Sequence, residues 1–330
     1  MLIGDICCHK GVRNMKIAVL TSGGDAPGMN AAIRAIVRNA LNYGHEVYGV
    51  LDGYKGLLED RMILLNHMSV SGLLTKGGTF LGTSRSPEFK EPEYQLKAAS
   101  NLKERGIEAL VVIGGDGSYR GAMALSKQGV KCIGIPGTID NDIVGTDYTI
   151  GFNTAVTTIV DAIDKLRDTS TSHQRCSIIE VMGRRSGDLA LYAGICGGAE
   201  FIITPENPVE KKVIIERMRE FKETNRRHAI IVVTENQFNV HDLANEITEA
   251  SGFSTRATVL GYIQRGGQPV PEDRILASRM GAYAVDLLQS GIFGCSVGVK
   301  DNRMIHMPFV NVLDQVKPKN ELYTLVDKIS

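Results

Sequence analysis

Two glycine-rich loops carry an aspartate where a phosphate group could bind. Residues 21–25 read Thr-Ser-Gly-Gly-Asp, and residues 114–118 read Gly-Gly-Asp-Gly-Ser. Glycines let backbone N–H groups approach phosphate oxygens, whereas Asp116 would meet a phosphate through Mg²⁺. The alternatives are a tight turn at residues 21–25 and a helix N-cap at Asp116. The glycines around Asp116 favour the metal site, because an N-cap does not need them.

A third loop carries Thr138, Asp140 and Asp142. Carboxylates at positions i and i+2 point to the same side of an extended segment, so one can act as a base while the other positions it. The alternative is an Asx-type turn with solvated acids. Because all three loops follow predicted strands, and ligands collect at the carboxyl ends of parallel strands, a shared cleft is favoured over separate turns.

Several arginines, near these loops or in later segments of the sequence, could bind phosphate groups. A guanidinium group matches phosphate oxygens with two parallel hydrogen bonds, although an isolated arginine is more often a surface charge or an ion-pair partner. In a cleft that receives several phosphates, the binding role is favoured. The candidates are Arg85, Arg175, Arg184, Arg256 and Arg265.

The elements that must position these loops alternate between strand-like apolar runs and helix-like segments. This alternation predicts an α/β fold with two similar doubly wound halves, mainly parallel sheets and a helix after each early strand. The glycine loop at residues 21–28 is followed by apolar residues at helical spacing from Met29 to Ala40. Strands are predicted at residues 16–21, 45–51, 109–113, 132–135, 176–182, 201–204, 229–234 and 257–263.

The composition excludes several classes of protein. The 330 residues contain 37 basic and 37 acidic side chains, so no net charge favours a nucleic acid or a membrane surface as partner. The cysteines are Cys7, Cys8, Cys132, Cys176, Cys196 and Cys295, without C-x-x-C spacing, which favours reduced thiols over disulfides or zinc. Residues 1–14 are interpreted as an N-terminal extension that lacks a signal-peptide pattern, and a cytoplasmic protein is expected.

Six loop motifs, in order along the chain, resemble those of the bacterial ATP-dependent 6-phosphofructokinases. They are TSGGDAPGMN at 21–30, GGDGS at 114–118, PGTIDND at 136–142, SHQR at 172–175, EVMGR at 180–184 and GYIQRGGQP at 261–269. The resemblance covers about residues 16–310. It implies two Rossmann-like domains with the active site in the cleft between them. The larger, ATP-binding domain would comprise residues 15–151 and 264–314, and the smaller, fructose-6-phosphate-binding domain residues 152–263 and 315–330.

The resemblance also implies phosphoryl transfer from MgATP to the 1-hydroxyl of fructose 6-phosphate. By motif, Asp140 would be the base, Asp116 would hold Mg²⁺, and Gly24, Thr138 and Arg184 would steady the transferring phosphoryl group. The nucleotide side would comprise Gly24, Tyr54, Arg85, Ser86, Gly115, Asp116, Gly117 and Ser118. The sugar-phosphate side would comprise Thr138, Asp140, Asp142, Arg175, Met182, Gly183, Arg184, Glu235, Arg256, Tyr262 and Arg265. Arg175 and Arg256 would come from a neighbouring subunit of a homotetramer.

The predicted choice of ATP as phosphoryl donor depends on Gly117 and Gly137. Pyrophosphate-using relatives of the family have aspartate and lysine at these positions. A carboxylate at position 117 would repel the α-phosphate of ATP, and a lysine at position 137 would fill the same space with a cation. With glycine at both positions, ATP is expected.

The family's effector site for ADP and phosphoenolpyruvate matches at Arg34, Arg38, Arg167, Glu200, Arg226 and His228. His67 and Thr224 replace usual basic residues, which predicts weakened anion binding there. Arg34 and Arg38 could instead form a solvated helix face. In the active site, Tyr262 replaces a histidine and Ser86 a larger residue beside the adenine.

Other functions remain open from the sequence. The alternatives are a pyrophosphate-dependent phosphofructokinase, another kinase class with a GGDG loop, and a non-catalytic sugar-phosphate sensor on the same fold. The motif at residues 136–142 and the pair Arg175 and Arg256 argue against another kinase class. The presence of both Asp116 and Asp140 argues against a sensor, because binding alone needs no base.

Overall fold

A computed structural model describes residues 14–329, so most of the predicted N-terminal extension, with Cys7 and Cys8, lies outside the described residues. The larger sheet has the spatial order β11-β10-β5-β4-β1-β2-β3. Its strands are β1 (Lys16–Thr21), β2 (Glu46–Val50), β3 (Met62–Leu65), β4 (Ala109–Gly114), β5 (Lys131–Pro136), β10 (Cys295–Lys300) and β11 (Arg303–Pro308).

Strands β5, β4, β1 and β2 run parallel, as predicted, but the edges of the larger sheet differ from the expectation. β3 pairs with β2, and β11 with β10, in antiparallel register. Residues 62–65 and 295–308 had not been predicted as strands. The edge strands β3 and β11 are half-exposed and carry a weaker apolar signal than the buried central ones. β10 is buried between β5 and β11, but Ser296 and Gly298 interrupt its apolar run.

The smaller sheet is parallel throughout, in the order β7-β8-β6-β9. Its strands are β6 (Arg175–Val181), β7 (Phe201–Ile203), β8 (His228–Thr234) and β9 (Thr255–Val259). The strand predicted at residues 257–263 is therefore wrong in its second half. Gly261 has φ +55°, and Gly261–Arg265 forms a 3₁₀ turn that a strand cannot contain.

Helices cover both faces of each sheet, which gives the α/β architecture expected from the alternation of elements. They are α1 (Met29–Asn42), α2 (Gly53–Leu58), α3 (Pro92–Glu104), α4 (Asp116–Lys127), α5 (Phe152–His173), α6 (Asp188–Cys196), α7 (Lys211–Glu223), α8 (Val240–Ser251), α9 (Pro271–Gln289), α10 (Phe309–Leu313) and α11 (Tyr323–Ile329). Over the described residues, none of them is both long and apolar enough to cross a membrane.

The central strands are buried on both faces, because neighbouring residues of one strand belong to different core clusters. In β4, Val111 packs into the cluster between the sheets, whereas Val112 packs into the cluster on the outer side of the larger sheet. In β6, Ile179 joins the cluster between the sheets and Ile178 joins a cluster under α7 and α8. This arrangement explains the continuous apolar runs in the sequence.

The fully buried carboxylate of Asp273, at the start of α9, fixes the beginning of α5. It accepts hydrogen bonds from the backbone N–H groups of Gly151 (3.1 Å) and Thr154 (2.8 Å), and from the Thr154 hydroxyl. These are donors that a helix start leaves without intrahelical partners. Helix α5, which connects the larger sheet to the smaller one, is thereby held in a defined direction.

Candidate active site

A cleft of about 800 Å³ lies at the carboxyl ends of β1, β4 and β5. The parallel order β5-β4-β1 brings the three loops predicted from the sequence to one edge of the sheet. Arg184 follows β6 and Arg265 follows β9, and both line the same cleft. Other lining residues that the sequence had predicted are Gly24, Tyr54, Arg85, Ser86, Gly115, Asp116, Gly117, Ser118, Thr138 and Asp140.

The two glycine-rich loops are joined by a buried hydrogen bond. The Ser118 hydroxyl donates to the Ser22 carbonyl oxygen at 3.0 Å, and a β-carbon at Gly114 would lie 2.4 Å from each of these oxygens. Tyr54 donates from its hydroxyl to the Ser118 carbonyl at 2.6 Å, and its ring stacks on Phe89. Because burial raises the pKa of Tyr54 well above its usual value, the phenol stays protonated and keeps donating.

The guanidinium group of Arg265 lies against the first glycine loop. A β-carbon at Gly24 would lie 3.1 Å from Cζ of Arg265, so a larger residue at position 24 would displace the arginine. Arg265 also lies over the Tyr262 ring, at 5.1 Å from the ring centre. The Arg265 cation and the glycine loop therefore line the same part of the cleft, which suits an anionic group that carries several oxygens.

Asp140 is the most buried carboxylate of the cleft, with 7% of its surface exposed. Burial, followed by the negative charge of Asp142, raises its pKa to about 6, although Arg184 and Arg265 oppose this shift. Its backbone N–H donates to the Thr138 hydroxyl at 3.2 Å. A carboxylate with a pKa near 6 is ionised at neutral pH yet is a stronger base than an ordinary aspartate, which suits proton abstraction.

The segment that carries Asp140 and Asp142 is a turn, not the extended strand considered from the sequence. Asn141 has φ +51°, in the left-handed region. Burial raises the pKa of Asp142, and the nearby charge of Asp116 adds to this effect. Asp116 of the second loop is therefore close enough to the third loop to affect the ionisation of Asp142.

Asp116 is the first residue of α4, and Gly115, not Asp116, occupies the N-cap position. Its half-exposed carboxylate pairs with Arg120, one helical turn later, at 3.2 Å. Within residues 14–329, no cluster of three or more His, Cys, Asp or Glu side chains could enclose a metal ion. A single carboxylate in a cleft, with a second one near it, fits Mg²⁺, which keeps waters and takes its other ligands from substrate phosphates.

Gly183 and Arg184 form a strained turn after β6 that aims the arginine. Gly183 has φ +139° and Arg184 φ +55°, and the Arg184 N–H donates to a Glu235 carboxylate oxygen at 3.0 Å. A β-carbon at Gly183 would lie 2.4 Å from the Ser186 carbonyl oxygen, so glycine is required there. The buried Gln264 accepts from the Met182 N–H at 3.1 Å. The structure thus brings Met182, Gly183, Arg184 and Glu235 close together.

The two glycines on which the choice of donor depends differ in their surroundings. No heavy atom lies within 4 Å of a β-carbon at Gly117, which lines the cleft. At Gly137, a β-carbon would lie 2.9 Å from Cγ2 of Ile113 and 3.1 Å from Cε of Met29. A side chain at position 117 therefore has free space, whereas one at position 137 requires its neighbours to move.

Arg175 and Arg256 lie away from these cleft residues in the single chain. Arg175 is the first residue of β6, and Arg256 pairs with Ser177 near the beginning of the same strand. Arg184 follows the opposite, carboxyl end of β6. Tyr262 is 75% exposed beside Arg265.

The predicted effector residues form two groups. Glu200 pairs with Arg226. Burial is the main cause that lowers the pKa of His228. The charge of Glu200 raises this pKa, and the charges of Arg167 and Arg226 lower it. Arg167 keeps a buried Nε and Nη2 without a hydrogen-bond partner in the described part of the chain. Arg34 and Arg38 lie one turn apart on α1, where burial and then the charge of Arg38 lower the pKa of Arg34.

Some cleft residues were not predicted from the sequence. Phe89 supports Tyr54 by stacking at 4.2 Å between ring centres, and Gln95 donates to the Phe89 carbonyl at 3.0 Å. Arg120 adds a cation next to Asp116. These side chains come from a 3₁₀ turn and helix faces without a local motif. For Arg120 alone, the i+4 spacing from Asp116 was a usable signal.

Comparisons with known proteins agree on one family. The phosphofructokinase family model matches residues 16–288. A Photobacterium profundum protein named ATP-dependent 6-phosphofructokinase is 56% identical over 316 residues, which are 95% of this chain and 99% of that protein.

Two solved structures resemble the chain at 36% identity and cover 96% of it. Phosphofructokinase from Saccharomyces cerevisiae has a TM-score of 0.83, and this chain covers 47% of it. Pichia pastoris phosphofructokinase in the T-state has a TM-score of 0.86, and this chain covers 36% of it. The chain therefore spans half or less of these two larger chains.

Proposed function

The chain belongs to the phosphofructokinase family, and we propose that it transfers the γ-phosphoryl group of ATP to the 1-hydroxyl of fructose 6-phosphate. The proposal rests on one observation: Asp116, Asp140, Arg184 and Arg265 all line the same cleft. Phosphoryl transfer requires little covalent work from the protein, so a base, cations and backbone donors in fixed positions suffice.

In this proposal, Asp140 removes the proton from the attacking hydroxyl. Its burial and its raised pKa support that role, because the proton moves to a group whose basicity is matched to neutral pH. Arg184 and Arg265 face Asp140 from the other sheet and balance the negative charge that spreads over the phosphoryl oxygens. Gly24 and Thr138 donate hydrogen bonds to the same group.

Mg²⁺ is the cofactor that the proposal requires, and Asp116 is the residue that would hold it. Bound there, Mg²⁺ would supply positive charge against the phosphate groups of the nucleotide. Arg120 pairs with the Asp116 carboxylate at 3.2 Å and adds a cation to this side of the cleft. Tyr54, Arg85, Ser86 and the residues 115–118 contribute the nucleotide side.

Fructose 6-phosphate would occupy the side of the cleft next to the smaller sheet. Asp142, Met182, Gly183 and Glu235 surround it there, together with Tyr262. Arg175 and Arg256 would reach the 6-phosphate from a neighbouring subunit of a homotetramer, which accounts for their distance from this cleft. The larger domain would comprise residues 15–151 and 264–314, and the smaller one residues 152–263 and 315–330.

The proposal also includes an effector site. It further assigns the enzyme to glycolysis, in the cytoplasm. Arg167, with buried nitrogens that have no partner among residues 14–329, supports an anion site beside Glu200, Arg226 and His228. ADP and phosphoenolpyruvate are the expected effectors. Arg34 and Arg38 would belong to the same effector site.

The test is a coupled spectrophotometric assay for fructose 1,6-bisphosphate, with ATP and pyrophosphate offered in parallel wells. We expect turnover with ATP and little with pyrophosphate. Preference for pyrophosphate would support the pyrophosphate-dependent alternative. Tight binding of fructose 6-phosphate without turnover of either donor would support the sensor alternative and overturn the proposed activity.

A further inference from the structure

Asn141 separates the two aspartates of the third loop and is held in place by residues from distant parts of the chain. We propose that Asp188 and Lys317 are positioning residues, which set the turn at Asn141 from which Asp140 reaches the reacting hydroxyl. This inference rests on the proposed function, because it assigns to the turn the task of aiming the base.

The contacts on Asn141 use its side chain and its backbone. Its Nδ2 donates to Oδ2 of Asp188 at 2.8 Å and to the Asp147 carbonyl oxygen at 3.2 Å, while its Oδ1 accepts from the Thr149 N–H at 3.0 Å. The Lys317 ammonium group donates to the Asn141 carbonyl oxygen and, at 3.2 Å, to Oδ2 of Asp188. Asp188 therefore contacts both the asparagine and the lysine that hold the turn.

The turn needs such support because of its backbone geometry. Asn141 has φ +51°, in the left-handed region, which asparagine adopts more readily than most residues but which is still less favourable than the extended region for a residue with a β-carbon. Without the contacts, the backbone at Asn141 would be free to leave this conformation, and the carboxylates on either side of it would turn with it. A displacement of about 1 Å at a reacting group can lower a rate about 100-fold.

Lys317 and Asp188 form an ion pair that is largely buried. The Asp188 side chain is 8% exposed and that of Lys317 is 25% exposed, so their ion pair is shielded from solvent. Removing the lysine would leave a buried carboxylate without its cation, which is a costly arrangement. Asn320 donates to the other Asp188 oxygen, Oδ1, at 3.2 Å.

Lys317 lies in the segment between α10 and α11, and this segment runs from one sheet to the other. Phe309 of α10 packs beneath the larger sheet, whereas the Tyr323 hydroxyl of α11 bonds the Thr204 hydroxyl after β7, at 2.6 Å. The carboxyl-terminal segment thus supports the loop that carries the predicted base. Through this support, Lys317 would affect the phosphoryl transfer step although it lies far from Asp140 in the sequence.

The chain offers a matched control for Lys317. Lys319 lies two residues later in the same segment, and its ammonium group lies over the Tyr323 ring at 4.6 Å, not at the turn. The variants Lys317→Met and Lys319→Met remove the same charge and keep a similar side-chain volume. Lys317→Arg keeps a cation and a donor, and Asp188→Asn removes the charge of the partner.

We expect Lys317→Met to lower kcat about 10- to 100-fold, with the KM for ATP within about threefold of the wild-type value. Lys319→Met should leave both constants unchanged, and Lys317→Arg should recover most of the lost kcat. Asp188→Asn should lower kcat similarly. The double variant, with Asp188→Asn and Lys317→Met, should lose little more than either single variant, because the two residues act as a unit.

The inference is overturned if Lys317→Met behaves like Lys319→Met, or if the losses of the double variant multiply. It is also overturned if kcat falls only in proportion to the folded fraction measured by thermal unfolding, because a general role in folding would then suffice. If Lys317→Met does not fold, the kcat values of Lys317→Arg and Asp188→Asn are compared with that of Lys319→Met by the same criteria. Asp140→Asn, measured in parallel, tests the proposed base separately: full activity there refutes the base and leaves the contacts of Lys317 without a catalytic purpose.

Discussion

Replacing Asp140 with asparagine tests the predicted base by two independent measurements. The substitution keeps the shape of the side chain but removes its ability to accept a proton. General-base catalysis contributes about 10²–10⁴ in rate, so we expect kcat to fall by that factor while the KM for fructose 6-phosphate changes little. The coupled assay with saturating MgATP measures both constants. Near-normal turnover of Asp140→Asn would remove Asp140 from its predicted role.

The pH dependence of kcat/KM gives a sharper form of this prediction. Because the pKa of Asp140 is raised to about 6, the base is protonated below that pH, and kcat/KM should fall about tenfold per pH unit there. Substrate phosphates also titrate near pH 6. The residual activity of Asp140→Asn separates the two causes: the limb that remains in the variant belongs to the substrates, and a limb as steep as that of the wild type refutes the assignment to Asp140.

The same pKa predicts a change in stability with a defined sign. A shift from 3.8 to about 6 corresponds to about 3 kcal/mol that disfavours the charged form in the folded protein. This cost is absent below about pH 4, where the carboxyl is neutral in both states, and appears in full above about pH 6. Asp140→Asn should therefore raise the free energy of unfolding at pH 8, by at most about 3 kcal/mol, but not at pH 4. Equal gains at both pH values in denaturant titrations would refute the assigned cause.

Three further predictions concern the nucleotide side and the effector site. Gly117→Asp should fold normally, because a β-carbon there meets open space, and should raise the KM for ATP at least about tenfold through charge repulsion; an unchanged KM in the coupled assay would contradict this. Gly137→Ala should lower the free energy of unfolding by about 1–3 kcal/mol through overpacking, measured by denaturant titration with Gly117→Ala as the control that should not lose stability. Because His67 and Thr224 replace cations, activation by ADP should be weak, and strongly sigmoidal fructose 6-phosphate kinetics relieved by micromolar ADP would contradict that expectation.

Local sequence was sufficient to predict most of the central strands and the loops that follow them. The strand predicted at residues 16–21 is β1, and that at 109–113 is β4 without its last residue, because strands buried on both faces need continuous apolar runs. The edge strands β3 and β11 were missed, and so was β10, whose buried run is interrupted by Ser296 and Gly298. Their half-exposed patterns resemble loops, and their pairing partners decide whether they become strands.

The candidate site, too, could be predicted only in part from the sequence. Glycines and acids at strand ends could be recognised from their spacing, because neighbouring parallel strands deliver their carboxyl ends to one edge. The sequence could not show that Asn141 adopts a left-handed turn, that Asp188 and Lys317 contact it, or that a side chain at Gly137 would be crowded. Each of these facts depends on atoms that are far apart along the chain and meet only after folding, and long-range contacts of this kind leave no periodic trace in the sequence.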